Sequence, residues 1–369
     1  MEWLSILRCP VTKSDLAPLQ AEEISLLNEK IAAAAARFPN AHLLRRPVAS
    51  GFKSSNNEYA YPVLDGIILL LKDMAIPWQG VQLVPDARDT DKEWVRDFYD
   101  QKGWQQDEAG NYTDAVIYED LRPVSADYIK KCHERVSRYL HPSGKYLLDA
   151  ASGTIQYAEY LAYSANYTYR ICADFSFQAL KEAQKKLGTK GIYVLCDITH
   201  LPLKKGSVDS FVSLHTIYHI PKEQQTKAIR ELYRVLKPEG KGVVVYDWFK
   251  HSSWMNTWLF PFRALMFARN RVVRTLGKVA AARLTTGRLY FYAHTLDYFQ
   301  KHLPPFRLRV WRSLSVPFLR YYIHPWFFGK QILDKVYHKE EKDPEECGRK
   351  GEYPMLVFEK AETPSSFLP

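Results

Sequence analysis

Three aspartates close short apolar runs: Asp149 ends Tyr146–Asp149, Asp174 ends Tyr169–Asp174, and Asp197 ends Tyr193–Asp197. Asp149 leads into Ala150-Ala151-Ser152-Gly153-Thr154, a stretch of small residues. Small residues let the backbone approach a ligand, and a helix opening there presents unpaired N–H groups. Asp174 falls 21 residues after Gly153, where an acid can hold ribose hydroxyls. A carboxylate at Asp197 can accept from an adenine amino group while its neighbours flank the ring. Each reading has a plain structural counterpart: a tight turn, a helix N-cap at Asp174 and a strand-end carboxylate at Asp197.

A second group could move protons. Leu214-His215-Thr216 ends a fourth apolar run, with Tyr218 and His219 on the same turn. Histidine titrates near neutrality, so His215 is the first candidate base and His219 the second. Both also fit a purely structural role. Asp247 and His294 are weaker candidates.

The elements that must carry these residues alternate between strand-like and helix-like runs from about residue 125 onwards. That alternation predicts βαβ units: an α/β, doubly wound, Rossmann-like and mostly parallel sheet with helices on both faces. We expect seven strands. Residues 1–72 read as a small α+β unit, 73–124 as a connector with a helix near 91–99, and 125–363 as the main domain. Residues 248–345 break the rhythm. Rich in Trp, Phe, Tyr and Arg, they read as a helical insertion or lid before a last strand, Tyr353–Glu359.

A length of 369 residues suits two domains, or one with a large insertion. The formal charge of +10 favours acidic partners without choosing among them. The five cysteines, widely spaced, fit reduced thiols of a cytoplasmic protein. No apolar stretch reaches the roughly 20 residues of a spanning helix.

The motifs together resemble class I S-adenosylmethionine (SAM)-dependent methyltransferases, in the group that includes quinone-biosynthesis-like enzymes. The family's acid-plus-alternating-glycine motif maps onto Asp149, Ala151, Gly153 and Ile155, with two glycines replaced. ADFSFQAL, CDITHLPLKKGSVDSFVS and ELYRVLKPEGKGVVV follow in the family's order, over about residues 145–247. The resemblance implies SAM as cofactor, held by Asp149, Ala151, Ser152, Gly153, Asp174, Phe175, Asp197, Ile198 and Leu214. It does not specify the acceptor.

LSILRCPVTKSDLAPL and YAYPVLDGIILLL resemble the small methyltransferase-activator domain. The family's Cys-x-x-Cys is broken here, since Thr12 stands where the second cysteine would follow Cys9, so no metal is expected. We expect methyl transfer to a small-molecule or lipid-like acceptor. RNA methylation and a catalytically inactive SAM-binding regulator are the alternatives, and peripheral contact with a membrane stays open.

Overall fold

The computed structural model describes residues 1–34, 41–44, 46–81, 104, 105, 107, 108, 110, 112–275 and 290–362. The helix expected near 91–99 lies outside them. Twelve strands run in chain order: β1 (Leu16–Pro18), β2 (Ser50–Ser54), β3 (Tyr59–Leu64), β4 (Ile67–Leu69), β5 (Ile76–Pro77), β6 (Gly144–Ala150), β7 (Tyr167–Asp174), β8 (Gly191–Leu195), β9 (Val208–Leu214), β10 (Leu236–Val245), β11 (Arg307–Arg312) and β12 (Tyr353–Glu359). They form one sheet in the order β1-β2-β3-β4-β8-β7-β6-β9-β10-β12-β11, with β5 on β3.

The sheet is therefore larger than the seven strands expected of the main domain: β6–β12 fall within 125–363, and β1–β5 bring the total among the described residues to twelve. The reason is β4, which lies parallel to β8 through Ile67↔Tyr193, Ile68↔Val194 and Leu69↔Leu195. Residues 1–72 thus extend the central sheet instead of packing on it from outside. The first residues join as well: the Arg8 amide donates to Pro202 O at 3.0 Å and the Lys204 amide to Ile6 O at 2.8 Å. The insertion is corrected too. It is not wholly helical, because β11 lies within it and pairs antiparallel with β12.

From β8 through β10 the pairing is parallel, and β12 returns antiparallel to β10. Parallel strands are covered on both faces, so they read as continuous apolar runs. Leu147 and Leu148 enter different core clusters, as neighbours on a strand must. Each fully buried aliphatic side chain contributes about 1.5–3 kcal/mol. Helices Phe177–Leu187 and Gln225–Val235 make the crossovers after β7 and β9. Gly242 on β10 is obligatory, because a Cβ there would lie 2.1 Å from the Phe211 ring.

Candidate active site

The carboxyl ends of β6, β7 and β9, with the turn that follows β8, open into one cavity of about 810 Å³. That is a normal size for a small-molecule site. The cavity collects Asp149, Ala151, Ser152 and Gly153 from the turn after β6 and Asp174 with Phe175 from the end of β7. It also takes Asp197 and Ile198 from just beyond β8, and Leu214, His215 and His219 from the end of β9. The residues singled out above for binding therefore line the same space, as do Asp247 and Tyr218, whereas the weaker candidate His294 lies outside it, its Nε2 facing Lys222 O at 2.9 Å.

The turn after β6 is left-handed at alternate residues: φ is +56° at Ala151, +53° at Gly153 and +54° at Ile155. For a non-glycine this costs about 1–2 kcal/mol per residue. Ile155 offsets the cost by burying its side chain in the core beside Leu180 and Ala183. The helix that follows begins only at Ala158, because these turns occupy the intervening residues. The ring of Trp104 lies against Gly153, where a Cβ would come within 2.7 Å of it.

The acid that holds this turn is Asp174. Its Oδ2 accepts the Gly153 amide at 2.8 Å and its Oδ1 the Ser176 amide at 2.8 Å. Ser176 in turn caps Phe177–Leu187 by accepting from the Ala179 amide. Asp149 has a different partner. Its Oδ2 accepts from Arg170 Nε at 3.0 Å and from Arg170 Nη2, and both side chains are buried. Asp197 Oδ1 accepts the Thr199 amide at 2.8 Å and the Thr199 hydroxyl at 2.7 Å. Oδ2 of Asp197 stands 3.8 Å from His200.

His215 takes φ +56° and packs between Trp311 and Tyr353, with ring centroids at 4.4 and 5.4 Å. Burial, reinforced by the Arg312 charge, pushes its pKa well below the usual value, so the imidazole is neutral. Burial pushes His219 down to about 4. Its Nδ1 faces Tyr290 O at 2.8 Å. A carbonyl only accepts, so Nδ1 carries the proton and Nε2 remains an acceptor.

Sequence reasoning ranked Asp247 low and missed Glu352, Arg312 and Glu119 altogether. All four line the cavity. Asp247 follows β10 and accepts the Phe249 amide at 2.7 Å. Burial pushes its carboxyl up to about 7, against that amide and Arg312. Burial and the neighbouring Asp247 push Glu352 well above the carboxylate range. Arg312 donates to Glu119 across 193 residues of sequence. The missed signal is positional. Because β12 runs antiparallel, its start lies at the carboxyl edge of the parallel strands, so the acid just before Tyr353 points there. Gln156 Oε1, Arg312 Nε and Glu352 Oε2 are buried without a hydrogen-bond partner among the described residues, which suits a site that takes a polar ligand.

The Asp247 shift sets a pH dependence. Its folded pKa lies above the unfolded value of about 3.9, so between these the folded state binds more protons. Its contribution is full below about pH 4 and is lost as pH rises through about 7. His219, pushed down to about 4, acts oppositely, its contribution rising from about pH 4 to 6.5, and the lowered His215 acts in the same sense. In Asp247→Asn the falling component is removed. Urea unfolding of both proteins should show the parent's stability relative to Asp247→Asn falling from pH 4 to 7 and flat above about 8. A pH-independent difference would contradict the buried, proton-holding Asp247.

Residues 148–244 match the model of the methyltransferase domain family. Over 135 residues the chain is 28% identical to mouse "Probable tRNA methyltransferase 9B", covering 36% of this chain and 28% of that protein. The human protein of the same name is 27% identical over 135 residues. The chain thus spans under a third of the length of these curated relatives. Among solved structures it is similar to magnesium protoporphyrin IX methyltransferase from Synechocystis with bound SAH. There the identity is 15% and the TM-score 0.43, covering 73% of this chain and 100% of that one.

Proposed function

We propose, taking residues 148–244 as a methyltransferase domain whose cofactor is SAM, that the chain methylates a small or lipid-like acceptor held between His215, Asp247, Glu352 and an aromatic wall. The observation that carries this reading is the charge of the cavity. Among its described lining residues are seven carboxylates and two guanidinium groups, with Trp311, Tyr353 and Phe291 as apolar faces. Such a floor repels phosphates and favours an acceptor that is neutral or cationic where it reacts.

SAM supplies a methyl group on a sulfonium. The residues supply position: Asp174 holds the turn at Gly153 and faces the ribose, and Asp197 faces the adenine. Asp149 with Arg170 is a buried scaffold behind the turn. In-line positioning provides much of the acceleration. An acceptor that must lose a proton meets Asp247, whose carboxyl, pushed up to about 7, suits a base near neutrality better than the depressed His215. His219 Nε2 is an acceptor that can orient the acceptor molecule.

The second reading, RNA methylation, draws on the names of the curated relatives. Incubation with methyl-labelled SAM and either a lipid and metabolite extract or total tRNA separates the two. Label should enter the extract and be lost in Asp174→Ala. Label entering tRNA alone would move the acceptor to RNA. No label in either pool, with SAM still bound, would make the chain a binding protein.

A further inference from the structure

We infer that the chain docks on an anionic lipid bilayer through the turn Trp326-Phe327-Phe328 and residues 263–269 of the helix Ser253–Thr275. Three consecutive aromatics lie open to solvent, at 75%, 65% and 72% exposure. The turn that presents them is built. Pro325 opens a short 3-10 segment, and Phe328 takes the left-handed conformation, φ +54° and ψ +32°. The amides of Phe327 and Gly329 both donate to His324 O, at 3.2 and 3.0 Å. A Cβ at Gly329 would lie 2.6 Å from that same oxygen. A strained non-glycine residue that holds aromatics in water points to a contact made elsewhere.

The helix continues the same surface. Met255 and Leu259 are buried and anchor its first half. From Arg263 to Arg269 every residue is exposed, including Leu265 and Phe267. The two elements are neighbours: the Phe262 ring stacks on Tyr321 at 4.5 Å, and the Tyr322 hydroxyl donates to Trp258 O at 2.6 Å.

Charge selects the occupant. The described side chains of the helix include Arg263 and Arg269 and no carboxylate, and residues 321–333 contain Lys330 but no acid. A second copy docking face to face would bring these cations together. Bulky apolar side chains among arginines match an interfacial element, with aromatics at the headgroup boundary and guanidinium groups on lipid phosphates. Leu265 and Met266 give stacked bases nothing, which disfavours RNA. No helix among the described residues is long and apolar enough to cross a membrane, so this one lies along it.

The helix Val316–Tyr322 links this face to the cavity. Val316, Pro317 and Arg320 line the cavity, while Tyr321 meets the projecting helix. A docked membrane therefore borders the cavity, and an amphiphilic acceptor can enter from it. That last step rests on the lipid-like acceptor proposed above. Vesicle binding does not, so the two ideas fail separately.

The test is co-sedimentation of the full chain with phosphatidylcholine vesicles, with and without phosphatidylglycerol. We expect binding to the anionic vesicles, weakened by salt but not abolished. Trp326→Ser/Phe327→Ser/Phe328→Asn should reduce it about tenfold or more, as should Leu265→Ser/Phe267→Ser. Thermal unfolding and SAM affinity should stay unchanged in both variants. Absence of vesicle binding, or variants that bind like the parent, would overturn the inference. So would a dimer, or a tRNA complex formed without vesicle binding, that the same substitutions dissolve.

Discussion

Replacing Arg170 with leucine is expected to destabilise the fold by about 3–5 kcal/mol, the cost of leaving a buried charge without its partner. Asp149 receives two hydrogen bonds from Arg170 on the adjacent strand, and both side chains are almost fully enclosed. Arg170 Nη1 also donates to Tyr160 O, so the guanidinium ties β6 and β7 to the segment after the turn. Arg170→Leu/Asp149→Leu should recover most of the loss, because an apolar pair of similar volume needs no compensation. Urea denaturation at constant m measures both. A loss below about 1 kcal/mol in the single variant would show that water already reaches Asp149.

The parallel strands and their terminal acids were legible for a local reason. A strand buried on both faces must be a continuous apolar run, and its polar ligand-facing residue must come at the end. Asp149, Asp174 and Asp197 meet that pattern within sequence, and all reach one cavity. The twelve-stranded sheet was not legible. Pairing of Ile67 with Tyr193 depends on two segments more than a hundred residues apart, and neither carries a local mark of the other. The same holds for Arg312 and Glu119, whose ion pair joins the insertion to the connector. The turn after β6 lies between these cases. Ala151 and Ile155 replace glycines of the resembled motif, yet both adopt the left-handed conformation. Burial of Ile155 outweighs a strain of about 1–2 kcal/mol, so the bulky residue is kept where sequence alone suggests a change of shape.

Asp174→Ala should weaken SAM binding by about 1–3 kcal/mol, or roughly 5- to 150-fold. Two effects combine. The carboxylate fixes the amides of Gly153 and Ser176, one on each oxygen, and so sets the turn against the first residues of the next helix. Asp174 also lines the cavity, where the proposed role is to accept ribose hydroxyls. Asp174→Asn separates the two. The amide keeps one acceptor oxygen and replaces the other by a donor, which opposes one of the two backbone N–H groups. If the turn is what matters, Asn should lose nearly as much affinity as Ala, and unfolding without ligand should show a matching loss of stability. If the ribose contact dominates, Ala should leave unliganded stability within about 1 kcal/mol of the parent and still lose affinity. Isothermal titration with SAM and with its demethylated product, alongside unliganded melts, reads both. Parent-like affinity in both variants would remove Asp174 from the cofactor site and place the ligand elsewhere in the cavity.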